Sequence, residues 1–267
     1  MSSEPFIVEK TDHVVKVTLN RPDRMNALDI PLLDNLYDFL VELNEGESET
    51  RALIFTGSGK SFCAGGDVKV FADYASLDQQ TDFVRAFTRR INDVIVELRH
   101  ASYPVIAAIN GVILGAGLNL ALAADMRLAA ESATFITASY AALGLVPASG
   151  GSYLLPTIIG PARAWEFFTL RENITAAKAL EMDLVSQVYP DSELQFQATK
   201  LAERLAKGPT RAYARTKALI NNFIAGSSLD YHLNLELIYQ KEMSKTHDYK
   251  EGIRAFLEKR EPMFLGK

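Results

Sequence analysis

The longest apolar tract, 101-ASYPVIAAINGVILGAGLNLALAAD-125, constrains the fold more than any other segment. Pro104, Asn110 and three glycines interrupt it, whereas a membrane-spanning helix needs ~18 or more consecutive apolar residues. It divides instead into a buried strand over 104–110, a glycine turn over 111–117 and a helix beginning LNLALAAD. A further strand, 126-MRLAA-130, follows. Strand, turn and helix in immediate succession imply an α/β fold with buried strands.

The flanking sequence extends this pattern. Residues 6–20 read as two short strands around Thr11-Asp12, with Val15, Val17 and Leu19 alternating against Lys16 and Thr18. Over 30–44, Leu32, Leu33, Leu36, Phe39, Leu40 and Leu43 form one helical stripe. A strand over 52–57 precedes a glycine-rich loop, and an amphipathic helix is expected over 78–99. Beyond about residue 135 helical signals dominate, over 161–170, 175–184, 192–208, 209–226, 229–246 and 248–260. The expected division is an α/β core over 1–200 and a helical C-terminal region over 201–267.

Bulk chemistry narrows the function. At 267 residues the chain can bury a sizeable core. A net charge of −5 argues against nucleic-acid binding by bulk electrostatics. Cys63 is the only cysteine and the four histidines are scattered, so neither an intrachain disulfide nor a metal site is expected. The N-terminal MSSEPFIVEK lacks the features of a signal peptide. A cytoplasmic location without membrane attachment is expected.

The loop 56-TGSGKSFCAGGD-67 offers two readings. Its left half resembles a nucleotide-phosphate loop, but the required early glycine falls at Ile54, inside an apolar strand. A β-branched strand residue cannot supply that loop's backbone geometry. Its right half, Ala64-Gly65-Gly66, is a turn of small residues that lets a ligand approach the main chain. Gly115-Ala116-Gly117 repeats the feature where a strand meets a helix, leaving unpaired amides at the positive end of the helix dipole. Two such donors aimed at one point would stabilise an oxyanion. Cys63, beside Phe62, reads as a small packed hydrophobe rather than a nucleophile.

These segments resemble the crotonase superfamily, also called the enoyl-CoA hydratase/isomerase family. The resemblance runs from 20-NRPDRMNAL-28 through 61-SFCAGGDV-68, 104–130, 143-LGLVPASGGSYLLP-156 and 176-AAKALEMDLVSQVY-189 to 258-EKREPMF-264. It implies a spiral of ββα units with a helical C-terminal trimerisation region, assembled as a homotrimer or a dimer of trimers. It also implies an acyl-CoA thioester substrate, with coenzyme A entering as part of the substrate and no separate cofactor. Carried over by position, the oxyanion-hole amides are those of Gly66 and Ala116. Arg24 and Met25 correspond to the loop gripping the nucleotide end of CoA. Ala64, Asp67 and Val68 fall on the adenine and pantetheine path, and Phe264 and Lys267 on positions that reach a neighbouring subunit's CoA.

The acid/base positions depart from the family pattern. Asn119 and Ser139 or Tyr140 stand where hydratases carry glutamates, and Ala148 stands where isomerases carry a carboxylate. Asn119 cannot act as a base, although it can position water or a substrate group. Tyr140 can act as an acid, or as a base only with a strongly depressed pKa. Asp67, Asp73, Asp78, Asp82 and Glu166 are the other carboxylates on segments expected near an acyl pocket. The leading expectation is a hydratase/isomerase-type enzyme with Gly66, Ala116, Asn119 and Tyr140 in the reaction centre. The alternatives are decarboxylation or hydrolysis of another acyl-CoA, or acyl-CoA binding without catalysis.

Overall fold

The protein is described from a computed structural model covering residues 4–45 and 49–267. Strands β1 (Phe6–Thr11) and β2 (Val14–Leu19) form an antiparallel hairpin, with Phe6 opposite Leu19. Helix α1 (Ile30–Glu45) buries Leu32, Leu33, Leu36, Leu40 and Leu43. Phe39 is only half-buried and packs its ring against Phe6.

The chain then repeats one pattern. The first turn is β3 (Ala52–Gly57), β4 (Ser61–Cys63), α2 (Val68–Ser76) and α3 (Gln80–His100). The second is β5 (Val105–Ile109), β6 (Val112–Leu114) and α4 (Ala116–Ala123). The third is β7 (Met126–Ala130), β8 (Thr134–Ile136) and α5 (Gly151–Ile159). After it come α6 (Pro161–Thr169), β9 (Ile174–Thr175), α7 (Ala176–Glu181), β10 (Gln187–Tyr189) and α8 (Leu194–Ala206).

The first strand of each turn enters a six-stranded sheet of order β1-β2-β3-β5-β7-β10. The second enters a four-stranded sheet of order β4-β6-β8-β9. This is the expected spiral of ββα units. The three-residue strands β4, β6 and β8 are absent from the sequence reading because they are too short to show a period. Helix α2 is also absent from it; none of its side chains is fully buried, although Val70 and Phe71 pack against the core.

The six-stranded sheet is covered on both faces. Val15, Val17, Leu53, Phe55, Val105 and Ala107 point into the main core with α1, α3 and α4. Val14, Ala52, Ile54, Ile106 and Leu128 point the other way, against Leu194, Ala198, Ala202 and Ala206 of α8. Alanine at every fourth position gives α8 a flat stripe that lies close on the strands. The expected boundary at residue 200 falls inside this helix.

Helices α9 (Thr210–Ile224), α10 (Leu229–Met243) and α11 (His247–Glu258) complete the described chain. Lys217 of α9 is tied to the core by an ion pair to Asp125 at 2.6 Å and a hydrogen bond to the Tyr103 carbonyl at 2.7 Å. Helix α10 buries no side chain, and Leu229, Leu233, Leu237 and Ile238 are exposed along it.

Asn26 couples the fold to its loops. It is fully buried with φ +56°, a conformation asparagine tolerates better than other side-chain-bearing residues. Its Oδ1 accepts from the Arg21 amide at 2.9 Å, and its Nδ2 donates to the Ser58 and Ser61 carbonyls at 2.9 and 2.7 Å. Removing the amide in Asn26→Ala is expected to cost about 2–4 kcal/mol. The measurement is a urea unfolding curve; an unchanged midpoint would refute the role of this clamp.

Candidate active site

The loop between β3 and β4 is held on two sides. Asn26 takes carbonyls from one side. Asn110 takes the other: its Oδ1 accepts from the Gly57 amide at 3.1 Å, and its Nδ2 donates to the Gly59 carbonyl at 3.0 Å. The Gly57 amide is therefore occupied within the fold, and Ile54 is buried in a strand. This half of the motif is a clamped turn, not a phosphate cradle.

The glycine turns that follow β4 and β6 are brought together by strand pairing. β4 and β6 are parallel neighbours, with Ser61 opposite Val112. The segments leaving them emerge side by side. The contact is close enough to require glycine: a Cβ on Gly117 would lie 2.3 Å from the Cys63 carbonyl oxygen. Gly65 has φ +76°, and a Cβ there would lie 3.0 Å from the Ala116 nitrogen.

Leu28 fixes the first turn, donating to the Gly65 carbonyl at 2.7 Å and accepting from the Asp67 amide at 2.8 Å. The Gly66 amide between them donates to no carbonyl among the loop and turn hydrogen bonds of the described residues, and neither does the Ala116 amide. Ala116 is the first residue of α4, where the helix geometry leaves N–H groups without intrahelical partners.

Both residues line one cavity of about 660 Å³. Its wall is mainly apolar, including Val68, Phe71, Phe87, Leu114, Ile136 and Val146. Ser139 and Tyr140 both reach it, following β8 as the other two segments follow β4 and β6. No Asp, Glu, His or Lys is among the lining residues. Asp67, Asp73, Asp78, Asp82 and Glu166 all lie off this wall.

Asn119 lies behind the wall and is fully buried. Its Nδ2 donates to the Tyr140 phenol oxygen at 2.7 Å and the Ala148 carbonyl at 2.8 Å. Its Oδ1 has no hydrogen-bond partner among the described residues and faces Gly151, where a Cβ would approach to 2.6 Å. Burial pushes the Tyr140 phenol up to about 12, against hydrogen bonds from Asn119, the Ala148 backbone and Ser149 that act to lower it. The phenol is therefore neutral at ordinary pH, the opposite of the depressed pKa a base would need. The backbone here is unusual: Ala138 and Ser149, both on the wall, have φ +50° and +52°.

The other carried-over residues fall into two places. Ala64 and Val68 line the cavity. Asp67 caps α2 and pairs with Arg24 at 2.8 Å and Arg21 at 3.4 Å. Burial raises its carboxyl, but the Arg24 hydrogen bond, the Lys69 amide and the two arginine charges outweigh this and hold it below its ordinary value. Such an anion is a brace and a poor base. Met25 accepts from the Ala64 amide at 3.0 Å, joining Arg24 and Met25 to the same loop.

Phe264 and Lys267 are not brought to this cavity. They lie in a tail folded over α11, where the Asp248 amide donates to the Lys267 carbonyl. The Asp248 carboxylate accepts the Leu265 and Gly266 amides at 2.8 Å each. Arg171 and Asn173 also line the cavity, and no sequence motif marks them.

The spiral thus brings Gly66 and Ala116, whose amides donate to no carbonyl in the loops and turns of the described residues, to the border of one mainly apolar cavity. The enoyl-CoA hydratase/isomerase family model matches residues 9–267. The chain is 38% identical to a 1,2-epoxyphenylacetyl-CoA isomerase of Escherichia coli, over 95% of each chain. It is 36% identical to a probable enoyl-CoA hydratase of Rhodobacter capsulatus over the full length of both. The crystal structure of an enoyl-CoA hydratase from Bacillus anthracis superposes with a TM-score of 0.90 at 37% identity, covering 99% of this chain and 100% of that one. The chain belongs to the enoyl-CoA hydratase/isomerase family of the crotonase superfamily, and it is an acyl-CoA-processing enzyme of that type.

Cys63 supports packing and not chemistry. It is fully buried, its thiol donates to the Asn26 carbonyl at 3.1 Å, and burial pushes its pKa up to about 12. It is expected to resist a thiol-specific disulfide reagent at pH 8 in the folded protein and to react once urea unfolds it. Rapid labelling without denaturant would contradict this placement.

Proposed function

We propose that the enzyme binds an acyl-CoA with the thioester oxygen between the Gly66 and Ala116 amides, which stabilise the enolate as charge moves onto that oxygen. The observation carrying this reading is that two amides lacking a carbonyl partner border one apolar cavity. The wall beside them is mainly apolar, so each donor strengthens once the acyl group fills the cavity and displaces water. Tyr140, whose oxygen already accepts from Asn119, meets the substrate as a neutral proton donor. Asn119 acts through Tyr140 as a positioning residue.

Substitution of Ala116 by proline tests the donor directly. Proline suits the first position of a helix, so Ala116→Pro deletes the N–H while keeping α4. Loss of one such donor is expected to lower kcat by ~10²–10³-fold with little change in thermal midpoint. Crotonyl-CoA and 3-enoyl-CoA are the first substrates to assay, alongside thioesters carrying a carboxylate on the α-carbon. A folded proline variant with full kcat on an active substrate would refute the arrangement.

The carboxylate-free wall favours a second reading of the reaction. Where no acid residue faces the α-carbon, an enolate can form by breaking a bond between that carbon and a substrate carboxylate. Carbon dioxide leaves, its electron pair moves to the thioester oxygen, and Tyr140 or water returns a proton to the carbon. No Asp, Glu, His or Lys lines the cavity and burial pushes the Tyr140 phenol up to about 12, so kcat is expected to stay flat from about pH 6 to pH 10. A bell-shaped profile with an acidic limb in that range would show that a general base enters from elsewhere.

Around this site, Arg24, Met25, Ala64, Asp67 and Val68 are assigned to the CoA path, and coenzyme A arrives on the substrate without a separate cofactor. The exposed apolar residues of α10, together with Phe223 and Phe256 at 72% and 84% exposure, support a homotrimer or dimer of trimers, since patches of this kind mark contact surfaces. In such an assembly Phe264 and Lys267 are assigned to a neighbouring subunit's CoA. Among the described residues no helix is long and apolar enough to cross a membrane, and the proposed setting is cytoplasmic.

A further inference from the structure

Among the described residues, Arg171 is the one charged side chain lining the acyl cavity. It is exposed, and its guanidinium has no hydrogen-bond or ion-pair partner among the described residues. Most arginines near this chain's sites are already committed: Arg21 and Arg24 pair with Asp67, and Arg51 holds the Gly208 carbonyl at 2.7 Å.

The segment carrying Arg171 is held in place. The buried hydroxyl of Thr137 lies 2.5 Å from the Leu170 carbonyl and 2.7 Å from the Glu172 carbonyl, with a single proton to share between them, and it accepts from the Glu172 amide at 2.9 Å. Two residues further on, β9 pairs with β8, with Ile174 opposite Phe135. Clamped between these points, residues 171 and 173 reach the cavity while Glu172 does not. A guanidinium and a carboxamide are thus presented together at the edge of a mainly apolar wall that contains no acid.

We infer that Arg171 and Asn173 form a specificity subsite for an acyl group bearing a carboxylate remote from the thioester. This rests on the proposed seating of the acyl-CoA in the same cavity and adds the class of acyl group. A guanidinium matches a carboxylate in a planar two-point contact, and an asparagine Nδ2 can donate to the same oxygen. A methyl-terminated chain would satisfy the apolar wall equally well but would leave both polar groups unused.

The test is calorimetric binding to the full-length protein of hexanoyl-CoA, adipoyl-CoA (the same chain length ending in a carboxylate) and free CoA. Wild type is expected to bind adipoyl-CoA more tightly than hexanoyl-CoA. Arg171→Met should weaken adipoyl-CoA by roughly 10- to 100-fold. It should leave hexanoyl-CoA and CoA within about threefold. Asn173→Ala should weaken adipoyl-CoA by a smaller factor in the same direction. Equal weakening of all three ligands would overturn the inference and place Arg171 on the CoA phosphates. No change with any ligand would make Arg171 an idle surface cation and would overturn it as well. If no CoA thioester binds the wild-type protein, the seating itself is wrong and the subsite falls with it; binding of hexanoyl-CoA without preference for adipoyl-CoA sinks only the subsite.

Discussion

The structure depends on how closely two backbones approach where β4 and β6 run in parallel. Gly117 packs onto the Cys63 carbonyl, and Gly65 packs onto the Ala116 nitrogen, at separations that leave no room for a Cβ. Helix α4 can begin beside the first glycine turn only because these positions lack side chains. The same approach leaves the Gly66 and Ala116 amides without carbonyl partners at the border of one cavity. Buried asparagines then fix the supporting loop, with Asn26 and Asn110 taking up backbone groups that would otherwise be stranded away from water.

The spiral explains why the remaining chemistry is nearby. Each turn sends its second strand into the four-stranded sheet, so the segments after β4, β6 and β8 stand in sheet order. Gly66, Ala116 and the Ser139-Tyr140 pair are therefore equivalent stations on successive turns. What distinguishes them is local: amides without carbonyl partners at the first two, a half-buried phenol at the third. No Asp, Glu, His or Lys lines the wall, which directs attention to the substrate as the source of reacting electrons.

Features set by local chain pattern are legible in the sequence. Val15, Val17 and Leu19 announce their strand by alternation, and the α1 leucines announce their helix by spacing. The turns Ala64-Gly65-Gly66 and Gly115-Ala116-Gly117 show as small residues after apolar strands, and the family resemblance picks out Gly66 and Ala116 within them. Asn119 illustrates the limit. Its position one helical turn past Ala116 suggests a place in the reaction centre, but every residue of α4 is buried. Which face meets the cavity is decided by α5, whose Gly151 receives the Asn119 side chain. Arg171 and Asn173 are illegible for another reason. They reach the cavity through the Thr137 clamp, formed across 35 residues of sequence, and through a two-residue strand too short to leave a period.

The left-handed backbone at Ala138 and Ser149 has a consequence for how this scaffold tolerates change. Each such residue costs about 1–2 kcal/mol relative to ordinary geometry, and it persists only where the surroundings over-determine it. These two bracket the segment holding Ser139 and Tyr140. The frame around the phenol is thus imposed from outside and owes little to the groups mounted on it. Reactive side chains there behave as exchangeable fittings on a pre-tensioned mount: one chemistry can replace another without the mount being rebuilt.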